Sequence, residues 1–415
     1  MSFIFPPQIF WKRLLAGGAA LLVVCAKAEQ TATIQQSQAL LDQIIADSQK
    51  HAFKRTTDSA HPLRLAESFA AGVAGDLSEY SELMVEIITR WAKTGEFAEA
   101  TYLADNLPAS GPASAHLEIA WVLLEKGKSE LAAEHVVKSL ETLEQARGRK
   151  AEVLRTRYCE LLYSLGREAE AKTEESRLSE LAKLELEARL QRLQSKPALN
   201  LLQAQARMTQ CEDRGVDRVR ASFLLGCANR QLRDGKQKAG LELLQEVGRL
   251  ATRDGLPSAQ RVLIELARSA YAGGEFKEAD KAINLYLEII KTYADAADWK
   301  APYLAEALDV LVDWKGRDKQ VNDWLKVGEA SLSKVFVLEA PKSALALARV
   351  AQRTSGSTEA DRLVMMAAKA GRSHPHPRAQ ATSAVLVCLF YSDAGRAIPV
   401  DILKIINPQT EAATN

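Results

Sequence analysis

Cysteines, histidines and aromatics are all sparse in this chain of 415 residues, and each shortage closes off a class of function. The five cysteines, Cys25, Cys159, Cys211, Cys227 and Cys388, are scattered and show no C-x-x-C spacing, which excludes a disulfide-built scaffold and a cysteine zinc site. Isolated thiols in apolar helical runs behave as small buried hydrophobes. Cys211 and Cys227 are the nearest in sequence, should an oxidising compartment join any two of the mature chain's thiols. The six histidines, His51, His61, His116, His135, His374 and His376, lack the i, i+4 partner that a helical metal site wants. His374 and His376 form the one tight pair, but Pro375 and Pro377 make that stretch a surface loop. No phosphate-cradling glycine loop or nucleophile elbow appears, so the sequence implies no cofactor, no metal and no catalytic residue. With a formal net charge of +1, the chain has no global field to gather nucleic acid.

Long hydrophobic runs are also missing. The uncharged stretch Leu14 to Ala26 is too short for a ~30 Å hydrocarbon core, which takes about 20 helical residues. Preceded by Lys12 and Arg13 and followed by Ala26-Lys27-Ala28, it reads as a secretory signal peptide over 1–28, cleaved near Ala28. The mature chain would then carry no membrane span and be periplasmic or secreted. Losing Lys12, Arg13 and Lys27 and no acid would take the net charge from +1 to −2. Two alternatives stay open. The apolar lead from Met1 to Phe10 suits a retained anchor, and Cys25 after Leu22-Val23-Val24 resembles a lipidated cysteine, although Val24 is larger than the residue such a site normally takes.

What the chain does have is a ladder of glycines between alanine-rich apolar runs: Gly95, Gly127, Gly166, Gly235, Gly274, Gly316, Gly356 and Gly395. The steps are mostly close to 40 residues, a period that means stacked helical hairpins. The interval from Gly166 to Gly235 is nearly double, and the hidden turn falls at Ser195-Lys196, where a helix must stop before Pro197. Within that interval the alternation of leucines with Glu, Lys and Arg from about Arg167 to Gln194 predicts one charged helix with a solvated face. A helix and polar linker over 29–62, repeats over 63–400 and a tail over 401–415 complete the organisation.

Aligned at their turns, two units share Gly-Glu-Phe-x-Glu-Ala: Gly95 to Ala100 and Gly274 to Ala279. This resembles the tetratricopeptide repeat (TPR) family, which implies an all-α αα-hairpin solenoid, a right-handed superhelix of about eight to nine hairpins. In that family the alanine lets the second helix come close and the aromatic fills space between hairpins. The resemblance also implies a partner groove lined by the first helix of each hairpin. Counting back from the turn glycines carries the groove positions onto Thr89, Lys93, Trp121, Asn229, Arg233, Arg261, Arg268 and Tyr271. Arg, Lys, Asn and aromatics suit an extended acidic or polar peptide, because a guanidinium pairs bidentately with carboxylates. The same residues also fit an ordinary solvated face, and Trp91, Trp121, Trp299, Trp314 and Trp324 read as packing between helices.

The functional expectation is an exported, non-catalytic interaction scaffold of the bacterial envelope that takes a protein or peptide partner. One alternative is a toroid of hairpins acting on polysaccharides, which needs paired carboxylates at its centre and aromatic subsites. A structural protein that self-associates through the charged helix around Glu185 is the third reading.

Overall fold

A computed structural model describes residues 61–108, 110–193, 197–209, 217–253, 257–292, 300–332 and 340–408. The signal peptide, Cys25 and the predicted first helix lie outside the described residues. Among its described residues, the compact unit that begins at Asp58 contains nineteen α-helices and no strand. They are α1 (Pro62–Ala70), α2 (Leu77–Thr94), α3 (Phe97–Asp105), α4 (Gly111–Glu125), α5 (Ser129–Leu143), α6 (Gly148–Ser164), α7 (Glu168–Glu175), α8 (Glu180–Arg192), α9 (Leu201–Met208) and α10 (Asp217–Arg233). The series continues with α11 (Gln237–Arg253), α12 (Pro257–Ala272), α13 (Phe276–Thr292), α14 (Lys300–Leu311), α15 (Asp318–Leu332), α16 (Ala340–Thr354), α17 (Ser357–Arg372), α18 (Pro377–Asp393) and α19 (Val400–Ile406).

Helix α2 shows why the units form. The Asp76 side chain accepts from the amides of Ser78 and Glu79 at 3.0 and 3.1 Å and starts it. Leu83, Met84, Ile87, Ile88 and Trp91 then form its buried stripe. Gly95 ends it at φ 99°, with Glu96 N–H closing onto the Trp91 carbonyl at 3.0 Å. That left-handed residue with a six-to-one bond is a glycine C-terminal motif, open to a residue without a Cβ. The same bond recurs after Gly127, Gly166, Gly235, Gly274 and Gly395, and every glycine of the ladder has positive φ. Ala100 and Ala279, the alanines of the shared signature, are fully buried.

Three sequence expectations change. The charged helix predicted from Arg167 to Gln194 is two helices, α7 and α8, because Ser179 caps α8 by accepting from Ala182 N–H at 3.2 Å. The predicted hidden turn at Ser195-Lys196 falls in the interval between α8 and α9, outside the described residues. Phe276 does not fill space between hairpins: it is 58% exposed and meets the Tyr271 ring edge-on at 5.2 Å. Part of the segment read as a tail is helical, since α19 covers 400–406 and packs on α17.

The hairpin stack is as the repeats predict, and its ends meet. First helices α2, α4, α6, α8, α10, α12, α14, α16 and α18 each pack against the next, and α18 packs back onto α2. Among the described residues second helices touch one another at few places: α17 with α19, and more slightly α9 with α11 and α11 with α13. A layer whose members touch all the way round lies at the smaller radius, so the first helices form the inner wall of a closed circuit. Helix α18 receives its principal second-helix contact from the other end of the chain, from α1. The last hairpin is thus shared between the two termini of the unit.

Candidate binding surface

Neighbouring first helices are cross-linked by polar side chains along the inner wall. Trp121 on α4 lies under the Arg157 guanidinium of α6, 4.2 Å from ring centroid to carbon, and Glu118 pairs with the same Arg157 at 3.7 Å. Glu160 on α6 pairs with Arg189 on α8 at 3.1 Å. Asn229 on α10 donates to Ser269 Oγ on α12 at 3.1 Å. Arg268 on α12 pairs with Asp309 on α14 at 3.1 Å, and Arg353 on α16 pairs with that Asp309 at 2.8 Å and with Asp313. The wall is therefore polar and amply charged, with acids and bases interleaved.

One cavity on this wall gathers three of the predicted residues. Between α10 and α12, Asn229, Arg233 and Arg268 line a volume of about 560 Å³ together with Glu265 and Ser269. Arg233 is exposed and makes no ion pair among the described residues. Glu265 and Ser269 were not predicted; Glu265 lies three residues before Arg268 on the same face of α12, and Ser269 is the next residue along the helix. Gly273, just past α12, packs against α10, where a Cβ would stand 2.5 Å from Leu232 Cδ1.

The remaining predicted residues lie elsewhere. Tyr271 shares α12 but is stacked on Trp314 at 4.6 Å, and its hydroxyl accepts from Lys315 N–H at 3.2 Å, so it braces α12 against the next hairpin. Thr89 donates to the Val85 carbonyl within α2 at 2.7 Å. Lys93 is exposed, with its carbonyl accepting from Lys126 Nζ at 2.8 Å. These two and Trp121 belong to α2 and α4, well apart along the circuit from α10 and α12. Arg261 falls within α12, but its side chain lies outside those described.

A polar chain, buried at its two histidines, joins α3, α4 and α5 without any pattern in the sequence that marks it. Asp105 Oδ1 meets His116 Nε2 at 2.9 Å, the two Nδ1 atoms of His116 and His135 are 3.0 Å apart, and His135 Nε2 reaches Thr101 Oγ1 at 3.4 Å. Burial, with neighbouring His116 and Lys138 adding to it, lowers the His135 pKa to about 4. Two rings sharing one contact proton cannot both be imidazolium, so the cluster is built around a neutral His135. Among the described residues no group of three His, Cys, Asp or Glu could hold a metal ion, and no helix is long and apolar enough to cross a membrane. Cys159, Cys227 and Cys388 are buried free thiols, and burial lifts the first two to about 12. For Cys227 this departs from the pairing with Cys211, which itself lies outside the described residues.

No family model matches the chain, and no curated protein matches it. Among solved structures, it aligns with a "Circular tandem repeat protein with novel repeat topology and enhanced subunit contact surfaces" at 15% identity. The alignment covers 86% of this chain and 84% of that one, with a TM-score of 0.18.

Proposed function

We propose that the protein is a non-catalytic, TPR-like binding scaffold whose inner wall holds an extended acidic or polar polypeptide, exported to act in the bacterial envelope. The observation that carries this reading is the α10–α12 cavity of about 560 Å³, where Arg233 and Arg268 stand beside Asn229. Two guanidinium groups and an amide on one wall suit carboxylates and backbone carbonyls of an extended chain. The closed circuit favours the same reading. Among the described residues, no two helices from opposite sides of the circuit pack extensively on each other. Nine inner helices spaced 8–10 Å apart therefore leave an opening of roughly 15 Å, wide enough for a peptide and too narrow for most folded domains.

The test is fluorescence anisotropy with an unstructured acidic peptide. Wild type should bind, Arg233→Glu should weaken binding by about tenfold or more, and Lys281→Glu on the exposed face of α13 should change nothing. Binding that Arg233→Glu leaves intact removes the cavity from the account. A second reading, a toroidal enzyme acting on polysaccharide, gains support from the closure alone. Its inner carboxylates Asp309, Glu118 and Glu160 are engaged by arginines, which weighs against it. Release of new reducing ends from polysaccharide by the purified protein would favour that reading instead.

A further inference from the structure

We infer, resting on the peptide-groove reading, that the groove is bipartite: next to the arginine cavity it holds a second pocket, which takes one lysine or arginine side chain of the same extended ligand. A cleft of about 220 Å³ is lined by four consecutive first helices, α6, α8, α10 and α12. It is continuous with the arginine cavity, because Glu265 lines both. The two lie along one stripe of α12. Val262 and Glu265 line the cleft, and Glu265, Ser269 and Ala272 line the cavity, at the three- and four-residue steps of a single helix face.

The two ends differ in charge. The cavity sets Arg233 and Arg268 against Glu265, whereas the cleft sets Glu152, Glu185 and Glu265 against Arg149. Glu152 Oε1 accepts from Ser179 N–H at 3.0 Å and Glu185 Oε1 pairs with Arg189 at 3.4 Å, so both carboxylates are held in place. Each keeps its second oxygen for another donor. Apolar surface is mixed in with these acids: Val153 on α6 is 52% exposed and lines the cleft together with Leu181 of α8 and Val219 of α10. That combination selects the ligand. A lysine or arginine covers apolar surface with its methylene stem while its charged head meets carboxylate, whereas a bare cation would leave the valine and leucine uncovered. Val262 and Ser269, towards the two ends of the trough, are seven residues apart on α12, or about 10 Å along its axis. An extended chain spans that in about three residues. The ligand is thus a polypeptide with a basic residue about three positions from its acidic ones.

The experiment is fluorescence anisotropy of the full chain with labelled Gly-Ser peptides that carry two aspartates and, three positions before or after them, a lysine. One of the two lysine peptides should bind about fivefold tighter than the peptide with aspartates alone, and a lysine directly adjacent to the aspartates should bring no such gain. Val153→Lys places a cation in the cleft at an exposed position, where the fold is kept. It should abolish the gain without weakening the aspartate peptide. Glu185→Gln should reduce the gain in the same direction. A lysine that adds nothing on either side, or a gain that survives Val153→Lys, overturns the second pocket while the arginine cavity stands. An aspartate peptide that does not bind at all removes the cavity, and the pocket with it.

Discussion

Gly95 shows how much a single residue can declare. Its φ of 99° is a backbone requirement, and a Cβ there would find nothing nearer than Lys126 Nζ at 4.0 Å. Gly95→Ala should therefore lower stability by about 1–2 kcal/mol through backbone conformation alone, read from urea unfolding. Such turns were legible in the sequence because the left-handed requirement is local. The fate of the residue two positions later was not: Phe276 lies on the surface because its neighbours come from folded partners. His135 makes the other residue-scale prediction. Its folded pKa of about 4 lies below the usual 6.5, so the unfolded chain takes the proton first as pH falls. The stabilisation is complete above about pH 6.5 and is lost as pH falls towards 4. Wild type should be about 2 kcal/mol less stable at pH 5 than at pH 8 from this group, and His135→Gln should lose that component of the slope in urea titrations. The pair could not be foreseen, because His116 and His135 sit on different helices and meet only through packing.

At the scale of helices, periodicity and caps predicted the hairpins well but merged α7 with α8. The run of leucines and charges continues through both, and the break depends partly on a distant group, since Glu152 Oε1 accepts from Ser179 N–H at 3.0 Å. Ser179→Ala should cost about 1 kcal/mol by removing the cap of α8. Gly226→Ala should be harsher. Its Cβ would stand 2.5 Å from the Ala188 carbonyl oxygen, forcing α10 off α8, so thermal unfolding should show a loss of about 3 kcal/mol. For the candidate site, counting from the turn glycines found Asn229, Arg233 and Arg268 because first-helix positions repeat with the turns. It could not tell that Tyr271 would be taken up by Trp314, a contact made across hairpins.

The whole molecule depends on angles summed over many hairpins, and no sequence window contains that sum. Arg90 and Asp393 are 303 residues apart in the chain and bond directly. The repeat signature gave the hairpins and their order, and an open superhelix and a closed circuit share both. Closure turns a row of first helices into one continuous inner wall, on which the binding proposal rests. The direct measurement is a double electron–electron resonance distance between spin labels at Lys93→Cys and Ala397→Cys. Lys93 lies about one helical turn beyond Arg90 and Ala397 four residues past Asp393, beyond the end of α18, so the closed circuit predicts a distribution centred below about 25 Å. An open stack of hairpins spaced 8–10 Å apart would place the labels beyond about 50 Å, and a distribution centred there contradicts the account.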